Sequence, residues 1–125
     1  MLMPHIIIEH SQNAIPENRS SLFIDTVFQA VLDTKLFTPE NLKVRLRPVK
    51  DFRLGLKDTE YIHVQCRIHA GRDEVQKKVL MERILEALSH EITTTTVITC
   101  EVVEMDKASY SKLIINKSLD NIPIN

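Results

Sequence analysis

The sequence predicts an α+β fold in which duplicated βαβ units build a four-stranded sheet with two helices on one face. Two segments alternate apolar and polar residues at strand period, and two longer ones repeat apolar residues at helical spacing. The order strand–helix–strand then occurs twice, offset by roughly 60 residues, which is the mark of a duplication. The expected organisation is one domain over residues 1–125. Within it, pseudo-repeats cover about 4–50 and 61–106, and a tail covers 107–125.

Each element has its own reason. His5 to Glu9 is short and rich in isoleucine, as a buried strand is. Ser11 to Arg19 is polar and contains Pro16, so it reads as a loop. Ser20 or Ser21 can cap a helix over Leu22 to Leu36, with Phe23, Val27, Ala30 and Val31 on its apolar side. Leu42 to Val49 alternates, placing Leu42, Val44 and Leu46 on one face and Lys43, Arg45 and Arg47 on the other. The residues alone allow that basic face to be solvated or to line a site. Lys50 to Glu60 is a charged connection. Tyr61 to Ile68 alternates again, with Ile62, Val64, Cys66 and Ile68 on one face and His63, expected to pack or hydrogen-bond, on the other.

A second helix is expected from Asp73 to Ile92, with Val75, Val79, Ile84, Leu85, Leu88 and Ile92 as its stripe. Asp73 and Glu74 in its first turn favour the helix dipole. Thr93 to Thr96 turn into a strand from Val97 to Met105, and Ser109 to Asn116 reads as a short hairpin-like tail. The rest of the chain is expected to be loosely packed. Two helices cover one face of such a sheet, so an apolar second face should meet another copy, sheet against sheet. By the usual rule each crossover is right-handed.

Composition narrows the function. The formal net charge is −1, which argues against nucleic acid or a membrane surface held by bulk charge. No apolar run approaches the roughly 20 residues of a membrane span, and no secretory signal is visible, so a cytoplasmic protein is expected. Two glycines leave almost no room for a Gly-rich nucleotide loop. Cys66 and Cys100 read as buried free thiols of a reducing compartment. The five histidines show neither HxH nor HxxxH spacing, so no metal site is expected.

Met3-Pro4-His5, the isoleucine run and Glu9 resemble the start of the 5-carboxymethyl-2-hydroxymuconate Δ-isomerases of the tautomerase superfamily. Tyr61 to Arg72 is similar to that family's second strand-to-helix junction. Gly71-Arg72-Asp73-Glu74-Val75-Gln76-Lys77-Lys78 also resembles the first turns of 4-oxalocrotonate tautomerase. Glu101 to Met105 and Lys112 to Asn116 look like the family's last core strand and its tail. The resemblance runs from Met3 to about Leu119 and rests on order, spacing and repetition rather than on one motif.

The resemblance implies a homotrimeric, cofactor-free isomerase of aromatic-compound catabolism, in the breakdown of homoprotocatechuate. Its substrate would be an unsaturated 2-hydroxy polycarboxylate of the 5-carboxymethyl-2-hydroxymuconate type. It implies Pro4 as the catalytic base, because an α-amino group titrates at about 7.7–8.0 and a lysine at about 10.4. Burial and nearby cations would bring a prolyl amine into that range. Arg72, matching the family's arginine after glycine, would bind a substrate carboxylate, with Arg45 and Lys43 beside it. The sequence departs from the family at Lys43, where an arginine is expected; lysine keeps the charge and loses the bidentate grip. It departs again at Met1-Leu2-Met3, since a proline nitrogen inside a peptide bond is an amide. The expectation is a mature chain that begins at Pro4 once Met3 is removed. The alternatives are a tautomerase of another enol acid, or a trimeric relic that has lost the base.

Overall fold

The computed structural model describes residues 4–117. The expectations about Met1-Leu2-Met3 and about the end of the chain fall outside the described residues. Strands β1 (His5–Ser11), β2 (Lys43–Val49), β3 (Glu60–His69) and β4 (Thr96–Met105) form one sheet in the order β2-β1-β3-β4. β1 is parallel to β2, β3 is parallel to β4, and the two halves meet where β1 runs antiparallel to β3. Helices α1 (Ser20–Asp33) and α2 (Glu74–Ser89) make the two crossovers and pack on each other. The duplicated βαβ reading therefore holds.

The alternation sets the core. Ile6 and Ile8 of β1 and Ile62, Val64, Cys66 and Ile68 of β3 are buried against Phe23, Val27 and Val31 of α1 and Leu80, Ile84 and Leu88 of α2. Val44, Leu46, Ile98, Cys100 and Val102 extend this face across both edge strands. Period two then sends the intervening residues to the uncovered face. That face is not apolar, contrary to expectation. Ile7, Val49, Tyr61, Val97, Val103 and Met105 share it with His5, Glu9, Lys43, Arg45, Arg47, His63, Gln65, Arg67, Thr99 and Glu101.

Several boundaries differ from the sequence reading, each for a local reason. Neither serine caps α1: a 3-10 turn at Glu17–Arg19 feeds straight into the helix, whose N-cap is Arg19 with no side-chain bond. α1 stops at Asp33 because Thr34 and Lys35 turn back onto the Val31 and Leu32 carbonyls, and Lys35 takes φ 62°. α2 begins with a capping box, in which Asp73 accepts from the Gln76 N–H and the Gln76 side chain accepts from the Asp73 N–H. Its buried stripe is Leu80, Ile84 and Leu88, while Val75 is 71% exposed. Residues 110–117 hold no hairpin; among the described residues only a 3-10 turn at Lys107–Ser109 follows β4.

The thiols are free, as expected, with Cys66 buried and Cys100 half-buried. Their sulfurs lie 3.8 Å apart, and the contact with Cys100 together with burial pushes the Cys66 thiol strongly upward.

Candidate active site

Pro4 is buried at the very start of β1, and its carbonyl accepts the Lys43 N–H at 3.1 Å. This cross-strand bond fits the parallel register of β1 with β2, in which Lys43 lies opposite His5 and Arg45 opposite Ile7. On the other side of β1 the antiparallel register sets His5 against Arg67, so the C-terminal end of β3 comes to the Pro4 end. Gly71 then takes φ 125°, where a side chain is strained, and turns the chain toward α2 with Arg72 at the bend.

Arg72 is half-buried and ordered by the loop that follows α1. It donates to the Leu36 carbonyl, and its guanidinium carbon stands 5.2 Å from the centre of the Phe37 ring. One arm of the planar fork is thus held, which fixes the direction of the others. Neither Glu9 nor Glu74 holds it: Glu9 accepts from the Tyr61 hydroxyl at 2.7 Å.

On the uncovered face at this same end lies a group of cations around His5. Arg45 Nη1 is 3.2 Å from His5 Nδ1, and His5 Nε2 is 2.8 Å from the Tyr110 hydroxyl. The His69 ring meets Tyr110 edge-on at 5.0 Å. A guanidinium only donates, so His5 Nδ1 accepts. A neutral His5 therefore carries its proton on Nε2 and donates it to the Tyr110 oxygen. Tyr110 keeps its own proton for another acceptor. Burial, and after it the charges of Arg45, Lys43, Arg67 and His69, hold the His5 pKa below the usual value, which favours this neutral form. Burial, Lys112 and Arg45 likewise lower the Lys43 pKa. Crowded cations of this kind are relieved by a bound anion.

The structure thus brings Lys43 and Arg45 to the Pro4 end of β1, with Arg72 at the turn that ends the neighbouring β3. Sequence reasoning missed His5, Arg67 and Tyr110. Arg67 was recoverable, because antiparallel pairing of β1 with β3 sets it beside His5 on the basic face. Tyr110 gave no signal, lying in a segment without period.

The far end of the sheet differs. There burial and Glu9 push the Tyr61 hydroxyl up to about 12. His63 hydrogen-bonds, as expected, with Thr99 Oγ1 and Glu101 Oε2, each at 2.7 Å, and lowers the Glu101 pKa. Among the described residues no three His, Cys, Asp or Glu side chains are grouped to hold a metal ion, and no helix is long and apolar enough to cross a membrane.

Residues 4–116 match the family model for 5-carboxymethyl-2-hydroxymuconate isomerase. Among solved structures, a 5-carboxymethyl-2-hydroxymuconate isomerase from Deinococcus radiodurans R1 superposes with a TM-score of 0.74 at 21% identity, covering 89% of each chain. A 5-carboxymethyl-2-hydroxymuconate delta-isomerase gives 0.71 at 15% identity, covering 91% of this chain and 89% of that one. A fused 4-OT that forms an asymmetric trimer gives 0.69 at 17%, covering 86% and 91%. At these identities the superpositions establish the fold. No curated protein sequence matches.

Proposed function

Because the chain belongs to the 5-carboxymethyl-2-hydroxymuconate isomerase family, we propose that it is a cofactor-free isomerase moving a proton within an unsaturated 2-hydroxy polycarboxylate. It works as a homotrimer in the cytoplasm, on a product of aromatic-compound breakdown. Pro4, as the first residue of the mature chain, takes the proton of the 2-hydroxyl. The O–H bonding pair becomes the new carbonyl bond, the double bonds shift along the chain, and the prolyl proton forms a C–H bond at the distant carbon. Arg72, Arg45 and Lys43 hold the carboxylates. Tyr110, its oxygen already accepting from His5, donates to the substrate oxygen as that oxygen becomes a carbonyl.

The observation that carries this reading is the cation group around His5 at the Pro4 end, within a family match that opens at Pro4. Cations there serve twice, binding carboxylates and lowering the pKa of a neighbouring amine. The test is an ultraviolet ketonisation assay on 2-hydroxymuconate with two forms of the protein. One begins at Pro4; the other carries Met1-Leu2-Met3, which makes the Pro4 nitrogen an amide. The second is expected to be slower by at least about 100-fold, the scale of losing a general base. Equal activity removes Pro4 as the base, and inactivity of both removes this substrate class.

A further inference from the structure

The duplication gives the sheet two equivalent ends. At one, the start of β1 meets the end of β3; at the other, the end of β1 meets the start of β3. The first holds Pro4 and its cations. The second opens into a cleft of about 670 Å³ beside His10. We propose that this cleft is a second binding site, for a small neutral ring compound bearing a hydroxyl, of the phenol class. It goes beyond the isomerase reading and does not depend on it.

The argument starts at His10, which is 3% exposed. Its Nδ1 lies 2.8 Å from the Ser11 carbonyl, an acceptor, so Nδ1 carries the proton and Nε2 presents a lone pair. That Nε2 is buried and has no partner among the described residues. Burial holds the His10 pKa below its usual value, so the ring stays a neutral acceptor near pH 7. A buried acceptor left unmatched is costly, and a hydroxyl donor reaching Nε2 from the cleft removes that cost.

Charge sets the rest of the ligand. Among the described residues no lysine or arginine lines the cleft, and the one ionised side chain there, Glu17, is exposed and acidic. A carboxylate or phosphate finds no counter-charge there, in contrast to the Pro4 end. An ammonium group gains little from an exposed glutamate and loses its hydration against the apolar wall. That wall is Ile15, Pro16, Leu46 and Pro48, which suits the face of a ring. Gln12, Asn13 and Ser20 supply polar groups at the rim.

The test uses the whole chain, labelled with ¹⁵N at histidine, near pH 7.5, with phenol, toluene and benzoate as probes. Phenol is expected to shift the His10 Nε2 resonance and to bind about tenfold more tightly than toluene or benzoate, the scale of one hydrogen bond. His10→Phe keeps the ring shape and should abolish the preference for phenol over toluene. Asn13→Trp, at the exposed rim, should block phenol and leave the His10 signals of the free protein in place. An unmoved His10 signal up to the solubility limit of phenol overturns the site. So does benzoate binding as well as phenol, or a phenol preference that survives His10→Phe.

Discussion

His5 and Tyr110 are 105 residues apart in the chain and joined by a hydrogen bond of 2.8 Å. With Arg45 donating to the other ring nitrogen, the proton order runs from Arg45 through His5 to Tyr110, which leaves the Tyr110 hydroxyl proton to be donated onward. A donor of this kind matters most when the substrate oxygen gains charge in the transition state. Tyr110→Phe should therefore lower kcat by about tenfold and change KM little. Steady-state kinetics on the form beginning at Pro4 decides this, and an unchanged kcat would leave Tyr110 as packing for His5 and His69.

Arg72 should behave differently, because a carboxylate clamp acts on bound substrate throughout. Arg72→Ala is expected to lower kcat/KM by at least about tenfold, or about 1.4 kcal/mol. Arg72→Lys should not restore it, since an ammonium offers neither the planar fork nor the same stacking on Phe37. Circular dichroism should stay unchanged in both. Full activity in Arg72→Ala would assign the residue to the Leu36 loop alone.

The strands were legible because alternation over Leu42–Val49 and Tyr61–Ile68 fixes which side chains face the helices. How β1 and β3 pair is not written in that alternation; the antiparallel register, with His5 opposite Arg67, brings the end of β3 to the Pro4 end. The helix stripe was legible only in part. In α2 two apolar registers compete, one from Val75 and Val79, the other Leu80, Ile84 and Leu88, and charged residues interrupt both. The tertiary contact chooses the second. Leu80→Ala should then cost about 2–5 kcal/mol, and Val75→Ala about 0.5 kcal/mol or less. Denaturant melts of the two variants measure the difference, and equal losses would contradict this packing. The tail was not legible at all, because Tyr110 is placed by contacts with His5 and His69 rather than by any local pattern.

His10 makes stability depend on pH in a defined window. Its folded pKa lies below the ordinary 6.5, so above that value both states are neutral and nothing changes. As pH falls below 6.5 the unfolded chain takes up the proton first, and folding loses free energy until the folded pKa is passed. Carboxylates titrate near 4 and contribute little between pH 6.5 and 5. Tm should fall across that interval, and His10→Phe should flatten the fall, with the depressed His5 accounting for part of the remainder. Thermal melts at several pH values check it; an identical slope in the variant would mean that His10 is accessible to protons in the folded state.

The uncovered sheet face constrains how three chains can meet. It carries four cations, Lys43, Arg45, Arg47 and Arg67, against two carboxylates, Glu9 and Glu101. Those carboxylates already serve Tyr61 and His63. Drying such a face costs several kcal/mol for each ion left without a partner. A trimer that packed these faces in dry contact would need carboxylates that the face does not hold. The expected homotrimer therefore keeps the face wet, and a single charge on it should matter little to assembly. Light scattering at micromolar concentration should return three times the chain mass for the native protein and for Arg47→Gln alike. A stable monomer would remove the trimer. Dissociation of Arg47→Gln alone would instead put that guanidinium in a dry interface, paired with a carboxylate of the neighbouring copy.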